Sequence, residues 1–324
     1  MTRHILLPLD GSTTAEAVIP YAVSLARATG ASLLLLRIVT PGEISQSLFW
    51  KTTIPAELRR EWTEEVLART NMYLASVAER LHSMSLRVSF DVQPADDAAA
   101  AIIARAEHEP GVGLIAMTTH GYGGALRWAF GSVAAKVLHA APTPLLVVRS
   151  NGGARPPVAE VAYRTICVPL DGSLLAEQAL AEAQLIAART GAALVLISVV
   201  AHTDDGAIEA REYLERIADQ LRARQIDARA RVAEGAPAEQ IIRAAEAEEA
   251  DLIVMATHGR TGLQHLWLGS IATKVVHDSA LPVLLVRAQD EEALYQSPVT
   301  IRHGHPEQSE GSCATRSDSS LSLP

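Results

Sequence analysis

The chain has 324 residues, 48% of them hydrophobic and 20% charged, enough for two packed domains of about 150 residues each. Its formal net charge of −9 argues against a broad nucleic-acid or anionic-membrane surface, which needs clustered Lys and Arg. Two cysteines, Cys167 and Cys313, are read as too few for a disulfide framework or a four-ligand zinc site, and no apolar run reaches the roughly 18–20 residues of a membrane span.

Residues 4–9 are a short apolar run closed by Asp10-Gly11-Ser12, which predicts a strand and a turn. An alanine-rich amphipathic stretch, 13–29, predicts a helix stopped by Gly30. "SLLLLRIV" (32–39) is almost continuously apolar, as expected of a strand buried on both faces. Residues 55–84 predict a long helix, 86–92 a strand, 96–109 a helix, 112–117 a strand, 132–141 a helix and 144–148 a last strand. "NGGARPPVAEVA" has the Gly and Pro content of a linker. The same order then returns at 165–170, 173–190, 192–200, 207–225, 226–233, 237–249, 251–256, 270–279 and 282–287. From about residue 289 the pattern dissolves into a polar tail, expected to be disordered; His303 and His305 there are read as solvated rather than metal-binding.

The recurrence is a duplication. "ILLPLDGS" (5–12) returns as "ICVPLDGS" (166–173), and "ATGASLLLLRIV" (28–39) as "RTGAALVLISVV" (189–200), both offset by 161 positions. "GSVAAKVLHAAPTPLLVVR" (131–149) returns as "GSIATKVVHDSALPVLLVR" (269–287), offset by 138, so the first copy is 23 residues longer in its middle. That extra segment (41–62) holds Phe49, Trp50 and Trp62, and is read as a lid, a partner face or a local cap on the core. The expected boundaries are domains at 1–150 and 164–288, a linker at 151–163 and the tail at 289–324. Alternating strands and helices predict two doubly wound, mostly parallel five-stranded α/β sheets. The apolar final strands "PLLVV" and "PVLLV" would aggregate if left as open edges, so they are expected to pair, antiparallel, across an internal pseudo-twofold axis.

Two loops carry the chemistry. "MTTHGYGGALRWAFGS" (117–132) and "MATHGRTGLQHLWLGS" (255–270) each link an apolar strand to a helix. Glycine allows close backbone approach, and a helix N-terminus offers free N–H groups and a favourable dipole, so each loop suits phosphate. A tight turn with a serine cap is the alternative. Neither loop is a G-x-x-x-x-G-K-[ST] phosphate loop. Lys136 and Lys274 are read as solvent-facing helical residues rather than phosphate ligands. Asp10 and Asp171, just after the first strand of each copy, fit a ribose-binding carboxylate and a cap or turn aspartate equally.

These residues resemble the universal stress protein family in its tandem two-domain form, whose nucleotide-binding members carry G-x2-G-x9-G-[ST]. Thr118 and Ala256 stand in place of the first glycine. The resemblance implies a Rossmann-like fold of the adenine nucleotide alpha hydrolase type, and ATP as ligand, with or without Mg2+. It implies ribose at Asp10 and Asp171, beside Pro8 and Leu9 and beside Pro169 and Leu170, with adenine against the backbone at Ile38 and Val199. Phosphates would lie on Gly121, Gly131, Ser132 and Val133, and on Gly259, Gly269, Ser270 and Ile271. Met117, Thr118 and His120, like Met255, Ala256 and His258, complete the expected nucleotide-binding set, the two histidines read as loop-shaping or supporting residues rather than bases. The second copy, with "ATHGRTG" and "EGAP" where the first has "ADDA", is expected to bind more tightly. The functional expectation is a cytoplasmic stress-response protein that binds ATP as a sensor or regulatory ligand. The alternatives are a slow ATP hydrolase or an interaction module with degenerate sites. No catalytic or metal-binding residue is assigned, no nucleic acid or membrane partner is expected, and homodimerisation through other faces stays open.

Overall fold

The computed structural model describes residues 4–46, 56–119, 130–149, 161–201, 204–257 and 268–287. The first half runs β1 (His4–Pro8), α1 (Thr13–Glu16), α2 (Ile19–Thr29), β2 (Ser32–Val39), α3 (Pro41–Gln46), α4 (Ala56–His82), β3 (Val88–Pro94), α5 (Ala98–His108), β4 (Val112–Thr118), α6 (Ser132–Ala140) and β5 (Leu145–Val148). The second runs β6 (Thr165–Pro169), α7 (Leu174–Thr190), β7 (Ala193–Val200), α8 (Asp204–Ala223), β8 (Ala228–Glu234), α9 (Pro237–Ala247), β9 (Leu252–Ala256), α10 (Ser270–Asp278) and β10 (Val283–Val286).

The expected helix over 13–29 is two helices. Pro20 has no N–H for the Glu16 carbonyl, and its ring crowds that carbonyl, so the first helix stops there and α2 starts with the proline in its first turn. Ala181 stands at the equivalent place in the second half, and α7 runs unbroken from Leu174 to Thr190. The expected glycine stops hold: Gly30 and Gly191 end their helices in the left-handed conformation, φ 72° and 75°. The middle of the aromatic-rich extra segment (47–55), with Phe49 and Trp50, lies outside the described residues, as does the Trp62 side chain; its start forms the short helix α3 and its end the beginning of α4.

All strands join one sheet in the order β3-β2-β1-β4-β5-β10-β9-β6-β7-β8. Pairing is parallel within each half and antiparallel only between β5 and β10, which form the expected internal joint. The carbonyls of Pro144 and Val148 accept amides from Ile115 and Thr119 on one side of β5. Those of Pro282 and Val286 accept amides from Ile253 and Thr257 on one side of β10. Backbone groups alternate sides along a strand, so Leu145, Val147, Val283 and Leu285 turn theirs to the joint. The register matches Val283 with Val147 and Leu285 with Leu145, and these are the hydrogen-bonded pairs.

Each face of this sheet carries one core that crosses the joint. Val23 of α2, Leu74 of α4, Ala179 of α7 and Leu214 of α8 cover one face; Ile102 of α5, Val137 of α6, Ile241 of α9 and Val275 of α10 cover the other. The approach is reciprocal: Arg149 donates to the Asp278 carbonyl at 3.5 Å and Arg287 to the Ala141 carbonyl at 3.3 Å, each at a helix C-terminus of the opposite half. Ahead of β6, the Val161 amide donates to the buried Ser24 hydroxyl at 2.9 Å and the Tyr163 hydroxyl donates to the Tyr21 carbonyl at 3.1 Å.

Cys167 is fully buried in β6, and burial pushes its thiol up to about 12. We expect iodoacetamide at pH 8 to label Cys167 in native protein at least ~1000-fold more slowly than in denaturant, because only opening of the sheet exposes it. Peptide mapping checks this. Comparable rates in the two states would mean that the sheet opens locally at β6.

Candidate functional site

Both halves wind outward from β1 or β6 in one direction and then jump to β4 or β9 on the other side. Ligands of open α/β sheets sit beyond the carboxyl ends of the strands at such a reversal. In the second half a cavity of about 630 Å³ opens there, within the roughly 300–1,000 Å³ range of small-molecule sites. Its walls bring together Pro169 at the end of β6, Leu170 and Asp171 just after it, Val199 in β7, Met255 and Ala256 in β9, and Gly269, Ser270 and Ile271 at the start of α10. The remaining second-copy candidates, His258 and Gly259, lie outside the described residues.

Asp171 is held by its own turn. Its Oδ1 accepts the Ser173 amide at 3.1 Å and the Ser173 hydroxyl at 2.6 Å, and the Ser173 Oγ accepts the Ala176 amide at 3.1 Å. The serine is therefore the helix cap, and the aspartate orients the cap rather than serving as one. Gly172, at φ 82°, makes the sharp turn possible. Asp10, Gly11 and Ser12 repeat the arrangement, with 2.9 and 2.6 Å to Asp10 Oδ1 and φ 88° at Gly11.

The base of the long loop is pinched shut. The Gly269 amide donates to the Thr257 carbonyl at 2.8 Å, and the Gly131 amide to the Thr119 carbonyl at 2.9 Å. The two glycines thus spend their own amides on the loop, contrary to the expectation that those amides face a phosphate. Nor do they use a positive φ: the values are −58° at Gly131 and −66° at Gly269. Gly269 lines the cavity, and as glycine it adds no side chain to that wall. Ser132 and Ser270 are first helical residues rather than caps, and neither helix has a side-chain cap. The first-turn amides of α10 therefore present the positive end of the helix to the cavity. Lys274 pairs with Glu239 at 3.3 Å and Lys136 with Asp97 at 2.6 Å, so both lysines brace neighbouring helices, as expected of solvent-facing residues.

Backbone direction supplies the remaining polar group. The Ile197 carbonyl accepts the Leu170 amide on the β6 side, and the Val200 carbonyl accepts the Gly235 amide on the β8 side. By alternation the Val199 carbonyl turns toward β6, just past where β6 ends, and overhangs the cavity.

The sequence reading missed Tyr213. It lines the cavity from α8 and donates its hydroxyl to Glu177 Oε1 at 3.0 Å. Burial first, and the charge of Glu177 second, hold its phenol above the ordinary range, so it stays protonated. The signal was present: "YLASVAERL" (73–81) and "YLERIADQL" (213–221) share the tyrosine, and Tyr73 donates to Glu16 at 3.0 Å. In the first half Pro8, Leu9, Asp10, Ile38, Met117, Thr118, Gly131, Ser132 and Val133 occupy the matching places; His120 and Gly121 lie outside the described residues. Among the described residues no group of three or more His, Cys, Asp or Glu could hold a metal, and no helix is long and apolar enough to cross a membrane.

Two doubly wound α/β halves that share one sheet, each with an Asp-Gly-Ser turn after its first strand and a Gly-Ser start to its last helix, define the architecture. The model of the Universal stress protein family matches residues 1–149 and 162–287, and the chain belongs to that family in tandem form. A universal stress protein of Mycolicibacterium smegmatis is 24% identical over 295 residues, covering 87% of this chain and 96% of its own. A crystal structure of a universal stress protein from Archaeoglobus fulgidus has the same fold, with a TM-score of 0.70 at 20% identity, covering 89% of this chain and 99% of that one. A universal stress protein solved in complex with cAMP matches at 29% identity and a TM-score of 0.34, covering 39% of this chain and 98% of its own.

Proposed function

We propose that the second-half cavity binds an adenine nucleotide, ATP among them, as a regulatory ligand of a cytoplasmic stress response. One observation carries this reading: a fixed carboxylate, an outward-turned strand carbonyl and a row of helix-terminal amides converge on a single cavity. Asp171 suits ribose hydroxyls, and the Val199 carbonyl suits an exocyclic amine between the apolar walls of Ile197 and Met255. The α10 amides suit phosphate oxygens. Mg2+, if carried in, would ride on those oxygens rather than on a protein cluster.

The test begins with mass spectrometry of ligand released from freshly purified, denatured protein, followed by calorimetric titration. We expect an adenine nucleotide in the released fraction. Asp171→Ala should weaken ATP binding by about tenfold or more, in line with about 1.5–3 kcal/mol for hydrogen bonds to a charged group. Unchanged affinity in Asp171→Ala, or no response to ATP, ADP or AMP, would overturn the reading.

A further inference from the structure

The two halves differ most where the base end of the cleft should be. Arg37 of β2 occupies the position of Ser198 in β7. Its Nη1 donates to the Ile38 carbonyl at 2.8 Å, and its Nη2 meets Glu43 of α3 at 2.5 Å. The Arg37 side chain is only 15% exposed.

The Ile38 carbonyl is the counterpart of the one at Val199. The Leu36 carbonyl accepts the Leu9 amide on the β1 side and the Val39 carbonyl accepts the Ala95 amide on the β3 side. By the same alternation Ile38 turns its carbonyl over the first-half crevice. There it meets a guanidinium. In the second half Ser198, too short for this role, leaves Val199 and Val200 partly exposed on the cavity wall. In the first half Ile38 and Val39 are 4% and 1% exposed. Arginine has donors only, and a 6-amino group also points N–H outward, so the guanidinium already seated at this carbonyl competes with the amine for it and for the space beside it.

We infer that Arg37, fastened by Glu43, closes the base end of the first half to adenine, so that the chain takes one adenine nucleotide, in its second half. Arg37 is then the residue that makes the duplicated sites unequal. The inference rests on the nucleotide reading above but is separable from it, because the readout is a gain of sites.

Equilibrium dialysis of labelled ATP against the full chain tests it, with Arg37→Ser, Arg37→Ala and Arg37→Lys beside the wild type. Near-ultraviolet circular dichroism confirms that each variant is folded. We expect one bound nucleotide per wild-type chain, two for Arg37→Ser and Arg37→Ala, and one for Arg37→Lys, which keeps a cationic donor. Adding Gly269→Val to Arg37→Ser should leave one site, now in the first half. Two sites in the wild type, or no gain on removing Arg37 from a folded chain, would overturn the inference. A change from none to one would keep Arg37 as the barrier in the first half but overturn the single second-half site, and with it the nucleotide reading of that cavity.

Discussion

Gly269→Val should cost the second-half cavity at least ~100-fold in ATP affinity, equivalent to about 2.7 kcal/mol. The fold should survive. Residue 269 has φ −66° and ψ 152°, which valine adopts without strain. Valine is a poorer N-cap than glycine, a cost of about 1 kcal/mol or a few degrees in melting temperature. The large effect is expected on binding, because residue 269 lines the cavity beside the first amides of α10, where added methyl groups would compete with a phosphate for space. Gly269→Ala, with a single methyl, should lie between the two. Calorimetry measures both, and a Gly269→Val protein with wild-type affinity would remove the helix terminus from the site.

Leu285→Pro should separate the halves. Leu285 turns its amide to Leu145 across the joint, so proline removes a donor there and strands a buried carbonyl, about 1–3 kcal/mol before any packing loss. Both faces of β10 are buried, so the ring also displaces core contacts. Leu284→Pro, which the sequence pattern alone would select as the middle of the strand, strikes the pairing with β9 instead, because Leu284 turns its amide away from the joint. We expect Leu285→Pro to split one cooperative melt into two and to raise aggregation. A single unchanged transition would show that the joint contributes little.

Much of this was legible in the sequence for physical reasons. Strands buried on both faces lose alternation and become continuous apolar runs, so "SLLLLRIV" and "PVLLV" announce themselves, and an apolar edge requires a partner. The duplication located the Asp10 and Asp171 turns and the Gly-Ser helix starts before any geometry was known. What stayed hidden depends on direction rather than residue type. Whether a glycine's amide faces a ligand or pinches a loop turns on one hydrogen bond, here Gly269 to Thr257. Tyr213 sits on α8, well after the Asp171 turn in the chain, and joins the cavity wall only once that helix has packed on the sheet. Arg37 reads as one polar residue in an apolar run until the alternation of strand carbonyls puts its guanidinium over the crevice.

The order of the sheet also sets a schedule for synthesis. The strand at its centre, β10, is the last of the described strands to be made, while its neighbour β5 is complete near the middle of the chain. Roughly 135 residues separate Val148 from Val283, and at about 5–20 residues per second a ribosome needs on the order of 10 s to add them. Throughout that interval the finished first half carries "LLVV" as a bare edge. Two nascent chains on neighbouring ribosomes could pair edge to edge before either has made its own β10. Among the described strands, the fold thus closes last where it is most adhesive.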